Sequence, residues 1–137
     1  MAFDFLGYTF QPRQAKTRNG KLFMSFLPAI SAKSAKKIRA TIRDWRIAST
    51  RSNQRLEDLA RLVDPSVRGW MNYYGQFYRS KCVQILRHLN PALAAWARRK
   101  YKRMRRRKRA SMHWLECIER REPNLFVLWQ LGVRPGA

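Results

Sequence analysis

A chain of 137 residues with 45% apolar content, five Trp and seven Phe among it, can build one domain with a packed core, which excludes a disordered basic tail. Thirty Lys and Arg against eight Asp and Glu give a formal charge of +22, hard to hold in a compact fold unless a polyanion screens it. No apolar run approaches the roughly 18 residues of a membrane span, the start MAFDFLGYTF lacks the basic flank of a signal peptide, and two cysteines 35 positions apart suggest neither a disulfide framework nor a zinc ribbon.

In chain order, the first 28 residues read as β-structure. Phe3, Phe5, Gly7 and Tyr8 alternate, and after the turn signal Asn19-Gly20 an apolar segment follows over 22–27. The pattern predicts an N-terminal β-hairpin that must pack on something, since an isolated hairpin is marginal in water. From Ser31 the period turns helical. Ala35, Ile38, Ile42 and Trp45 form a core stripe with Ser31 and Ser34 as candidate N-caps, and Lys36, Arg39, Arg43 and Arg46 repeat the spacing one residue on as a basic stripe.

A second helix is expected over 53–63, burying Leu56, Leu59, Ala60 and Val63. Asp64-Pro65 then reads as N-cap plus first-turn proline, restarting the chain into a helix with Val67, Trp70, Tyr74, Phe77 and Tyr78 on one side and Arg68, Asn72, Gln76 and Arg79 on the other. Helical spacing assigns Trp70, Tyr74 and Phe77 to the core; Tyr73, on the flank, fits core or base stacking equally. After a short apolar-faced segment over 82–89, Asn90-Pro91 repeats the cap-plus-proline signal before a helix reaching at least Met104. The last helix, over 110–121, buries Trp114, Leu115 and Ile118. After Pro123 an amphipathic stretch carries Phe126 and Trp129, and residues 132–137 should fray.

Between Asp64 and Glu116 no acidic residue occurs, while fourteen Lys and Arg do, ending in RRKYKRMRRRKR (98–109). In one helix Arg98/Lys102, Arg99/Arg103, Lys102/Arg106 and Arg103/Arg107 would be like-charge neighbours, each costing some tenths of a kcal/mol. Phosphates relieve such a run by counterion release, so the run points to nucleic acid. The candidate phosphate contacts are Lys36, Arg39, Arg43 and Arg46; then Arg68 and Arg79; then Arg98, Arg99, Lys102 and Arg103; and last Arg105, Arg106, Arg107 and Arg109.

Catalysis finds little support. Asp4, Asp44 and Asp64 are isolated, no two Asp adjoin, and no phosphate loop or Ser/His/Asp arrangement occurs. Cys82, His88, His113 and Cys117 match no common zinc spacing, so core thiols and a capping or phosphate-facing histidine are expected. No catalytic residue, metal or cofactor is assigned.

These segments resemble the C-terminal part of bacterial group II intron reverse transcriptase/maturases. FDFLGYTFQPR (3–13) resembles the last block of the polymerase region, and LARLVDPSVRGWMNYYGQF (59–77) resembles the hallmark of the maturase-specific domain, or domain X. LNPALAAWARRKYKRMRR (89–106) and REPNLFVLWQLG (121–132) continue the likeness. The resemblance implies a mainly α, thumb-like helical bundle with an N-terminal β-hairpin: polymerase end over 1–28, maturase domain over 29–104, and a basic helical extension over 105–137. It further implies a protein that grips structured group II intron RNA and assists splicing without chemistry of its own, and the lack of a membrane span and of a signal-peptide flank makes a cytoplasmic location the expectation. Target DNA and a separate fingers-and-palm reverse transcriptase fragment are the other partners it implies. A nonspecific nucleic-acid-binding remnant is the alternative.

Overall fold

The computed structural model describes residues 3–10, 13–16, 22–25, 28–76 and 78–136. The chain is mainly helical, with a small antiparallel β-region before the helices. Strands β1 (Phe3–Phe5) and β2 (Tyr8–Phe10) pair with Phe5 opposite Tyr8, and β5 (Pro28–Ile30) joins the other edge of β2 with Ile30 opposite Tyr8. Strands β3 (Arg13–Lys16) and β4 (Leu22–Ser25) form a separate two-stranded ladder.

The single expected hairpin is thus two, with β5 closing the three-stranded sheet; Asn19-Gly20 lies outside the described residues. The turn that was not foreseen is Leu6-Gly7. Both residues have positive φ (53° and 86°), the geometry of a two-residue hairpin loop, and leucine gives no sequence signal for it. Crowding adds to the preference for glycine at Gly7, because a Cβ there would sit 3.0 Å from Ser34 Oγ and from the Tyr74 ring; its carbonyl accepts the Ser31 N–H at 2.8 Å.

Helix α1 (Ala32–Asp44) begins where expected, with Ser31 Oγ accepting the Ser34 N–H at 3.1 Å and Ala35, Ile38 and Ile42 buried. Arg46, left-handed at φ 50°, turns the chain into the four-residue α2 (Ile47–Thr50). Helix α3 (Leu56–Tyr74) then runs unbroken for 19 residues, so the two helices expected on either side of Asp64-Pro65 are one. Interior proline costs about 3 kcal/mol through its lost N–H and ring clash. That cost is offset because Leu59, Ala60, Val63, Val67 and Met71 make one buried stripe that crosses Pro65 without changing face.

Asp64 is nevertheless a cap, for a different helix. Its carboxylate accepts the Val127 N–H at 3.1 Å, at the first residue of α7 (Val127–Gln130). Burial raises the Asp64 pKa above the usual carboxylate value, opposed by the Val127 N–H and by Arg68. A raised folded-state pKa means that this contribution to stability is complete below about pH 3.9 and is lost as pH rises through the folded value. Asp64→Ala should therefore cost about 1 kcal/mol, the worth of a cap, at acidic pH and less at neutral pH, whereas Asp64→Asn keeps an acceptor, sheds the desolvated charge and should cost less than Asp64→Ala at either. Urea midpoints of the two variants check this; equal losses would contradict it.

Helix α4 (Arg79–Leu86) leads to α5 (Leu89–Lys100), the central helix, with Leu89, Leu93, Ala94, Trp96 and Ala97 buried. Asn90 does not cap it. The helix begins one residue earlier, and Asn90 is buried, accepting the Trp129 indole N–H at 3.0 Å and donating to the Val133 carbonyl at 3.2 Å. The expected fraying of the C-terminus is corrected accordingly. Val133 is 1% exposed, its N–H reaches the Leu128 carbonyl at 3.1 Å, and Arg134 pairs with Glu119 at 3.2 Å. Helix α6 (Lys108–Arg121) packs on α5 and completes the core with Leu115 and Ile118. Among the described residues no helix is long and apolar enough to cross a membrane.

A candidate nucleic-acid interface

The basic run does not continue α5 to Met104. The helix stops at Lys100, Tyr101 is extended, Lys102–Met104 form a single 3₁₀ turn, and Arg106 is left-handed at φ 61° before α6 begins. This break is what the charge pattern favours. It removes the helical i,i+4 juxtaposition of Lys102 with Arg106 and of Arg103 with Arg107, and it leaves Arg98, Arg99 and Lys100 in the last turn of α5, where cations suit the helix dipole. Met104, 4% exposed, pins the turn to the core, so Lys102, Arg103, Arg105, Arg106 and Arg107 fan outward into solvent. Arg98 braces the arrangement by donating to Ser111 Oγ at 2.9 Å, and that hydroxyl donates to the Lys108 carbonyl at 2.8 Å.

The helices bring the two basic segments together. Arg39, Arg43 and Arg46 line an open cleft of about 640 Å³ with His88 and Ala92. Arg98, Arg99, Lys102, Arg105 and Arg106 line a second cleft of similar size with Ala95. Ala48 of α2 belongs to both, so the clefts adjoin along α2 where it packs on α5. Asp44 is the single carboxylate among the residues that line them. The result is a basic track with walls drawn from positions about sixty residues apart in sequence.

The other candidates are distributed differently. Lys36 lies exposed one turn before Arg39 on α1, and Arg103, Arg107 and Arg109 are exposed outside the cleft linings. Arg68 is exposed on α3. Arg79 donates to the Leu131 carbonyl at 2.6 Å, at the end of α7, which ties it to the fold. Among the described residues none of the fourteen candidates forms an ion pair: Glu57 and Asp58 go to Arg55 and Arg61, Glu116 to His113 and Glu119 to Arg134. The cations of the track therefore keep their charge for an external anion.

Sequence reasoning did not single out α2 or the closeness of the walls. The available signal was Ala92, Ala95 and Ala48, small residues that let α2 approach α5 and leave the cleft floor open. His88, read as a capping or phosphate-facing histidine, occupies the N-cap position of α5 without a side-chain bond and lines the first cleft.

The aromatic residues serve the sheet more than the track. The Tyr8 hydroxyl donates to the Tyr73 carbonyl, the Tyr73 hydroxyl donates to the Leu6 carbonyl at 2.7 Å, and Gln76 donates to the Tyr8 hydroxyl at 3.0 Å. Rings 73 and 74 meet edge-on at 4.8 Å, and Trp70 lies 5.7 Å from Trp45. Tyr73, open in the sequence reading, thus docks the β1–β2 turn onto α3; Phe77 lies outside the described residues. Burial pushes the Cys82 thiol up to about 11, despite nearby Arg79, while Cys117 is half-buried. At about pH 8 only on the order of 0.1% of Cys82 is then thiolate. A thiol reagent should label one cysteine per folded chain and the second only on unfolding, and equal native rates would contradict this.

A family model, the group II intron maturase-specific domain, matches residues 35–114, from α1 into α6, a span that includes both walls of the track. No curated protein and no solved structure matches the chain.

Proposed function

Because this chain belongs to the group II intron maturase-specific domain family, its function is tied to intron splicing, and we propose that it grips structured intron RNA along the α1/α2/α5 track. The maturase-specific domain is not itself the polymerase domain, so its contribution is affinity and shape rather than chemistry. The observation that carries this reading is the convergence of Arg39, Arg43 and Arg46 with Arg98, Arg99, Lys102, Arg105 and Arg106 on adjoining clefts, none of these cations forming an ion pair among the described residues. Phosphates on both walls release counterions, and the fixed separation of the walls selects backbone geometry rather than sequence. An A-form major groove is too narrow for side chains to read, so specificity comes from the shape of the folded RNA. The exposed Arg107 and Arg109, and by the family likeness the region after them, are available for target DNA.

Competition tests the reading. Binding to structured intron RNA should survive an excess of unrelated structured RNA; equal displacement by both would assign the chain as a nonspecific binder.

A second reading is favoured by the sheet. Strand β1 pairs with β2 alone among the described residues, and Leu6 beside it is 68% exposed, so this edge is available to a fingers-and-palm fragment. Cosedimentation with such a fragment without RNA would support that docking, and its absence would remove it.

A further inference from the structure

Apart from the two clefts of the basic track, with which it shares no lining residue, a smaller pocket of about 260 Å³ opens between α3, α5 and α6. Its volume is below the roughly 300–1,000 Å³ of drug-sized sites and suits one flat ring system. The lining includes Trp96, Lys100, Tyr101 and Trp114 together with Glu57 and Glu122.

The rings are not equivalent. Trp96 is buried, its indole N–H donates to the Arg51 carbonyl at 2.7 Å, and the Lys100 ammonium sits 5.0 Å from its ring centroid. Trp114 and Tyr101, with centroids 5.5 Å apart, are half-exposed and form the open aromatic wall. Two of only eight acidic residues of the chain face this pocket. Glu57 is 4.0 Å from Arg55, while Glu122 makes no ion pair among the described residues. Arg55 and Lys100 line the same pocket, so its two carboxylates are balanced by two cations, and in a chain of charge +22 a phosphate is drawn to the basic track, which leaves this pocket to the uncharged part of a nucleotide.

Ionised carboxylates only accept hydrogen bonds. The Watson–Crick edge of guanine presents two adjacent donors, N1–H and the N2 amine, which match one carboxylate bidentately. Adenine and cytosine place a ring-nitrogen acceptor beside their amine, and uracil flanks its single N–H with two carbonyls. Lys100 uses one donor on the Gln54 carbonyl at 2.5 Å and has others for O6. We propose that this pocket binds an unpaired guanine base, stacked on Trp114 with Tyr101, tilted 54° from that ring, against its edge, and held at its Watson–Crick edge by Glu122. The inference deepens the RNA-binding reading and rests on it: Lys102, next in the chain to Tyr101, would hold the phosphate of the strand whose base turns into the pocket.

Nucleosides, which lack phosphate, test the pocket separately from the track. The four nucleosides are titrated at millimolar concentration into the full chain, and the indole signal of Trp114 is followed by NMR after assignment with Trp114→Phe. Guanosine should shift that signal saturably, at least about fivefold more tightly than the other three. Glu122→Gln, an exposed change that spares the fold, should weaken the guanosine response about tenfold, within the range of one bidentate base contact. Equal responses to all four nucleosides, no response, or a guanosine response unchanged in Glu122→Gln would overturn the proposal. A retained guanosine response in a chain that fails to bind intron RNA would instead remove the track reading alone.

Discussion

Replacing Arg39, Arg43, Arg105 and Arg106 together by Gln should lower affinity for structured intron RNA by at least about a hundredfold near 0.1 M salt, with the fold unchanged. Two of these residues come from each wall of the track, all four are exposed, and none forms an ion pair among the described residues. Surface substitutions of this kind usually change stability by less than about 0.5 kcal/mol, so lost binding cannot be ascribed to unfolding. Each phosphate contact contributes roughly 0.9 to the slope of log affinity against log salt, and four such contacts compound. The split pairs make the experiment sharper. If one track is formed, Arg39→Gln with Arg43→Gln and Arg105→Gln with Arg106→Gln should each weaken binding to the same RNA element. A loss confined to the second pair would leave α1 outside the interface.

The second large effect is structural. Asn90→Ala should cost about 2–6 kcal/mol, because it orphans the Trp129 indole N–H and the Val133 carbonyl inside the core, each at about 1–3 kcal/mol. Set against a typical stability of about 5–15 kcal/mol, that is a large share, and the melting temperature should fall by roughly 10 °C or more. Asn72→Ala, at an exposed position of α3, serves as the control and should change little. Equal effects at the two positions would show that Asn90 does not clamp the C-terminal segment.

The sequence carried the helical stripes well, because burial follows a period that local residues express: Ala35, Ile38 and Ile42 lie buried as their spacing requires. It failed where a local signal serves a distant partner. Asp64-Pro65 and Asn90-Pro91 both look like helix starts, yet Asp64 caps α7 and Asn90 clamps Trp129 and Val133, contacts across 63, 39 and 43 positions. The basic run shows the converse. Its like-charge spacing was legible but was read inside a helix reaching Met104, with phosphates relieving the repulsion; the chain itself relieves part of it by leaving the helix at Lys100 for the 3₁₀ turn Lys102–Met104. The fourteen candidate cations could be named from sequence alone, but not their sorting into cleft-lining, outward-facing and fold-bound groups. That sorting depends on α2, a four-residue helix too short to express any period, and on the alanines that let it approach α5.

The most direct test of the track is the salt dependence of affinity for structured intron RNA, measured for the natural chain beside the four-arginine variant. With about six phosphates neutralised, affinity of the natural chain should fall roughly a thousandfold between 50 and 200 mM salt, and that of the variant only about tenfold. A flat profile for the natural chain, or parallel slopes for the two proteins, would contradict the account.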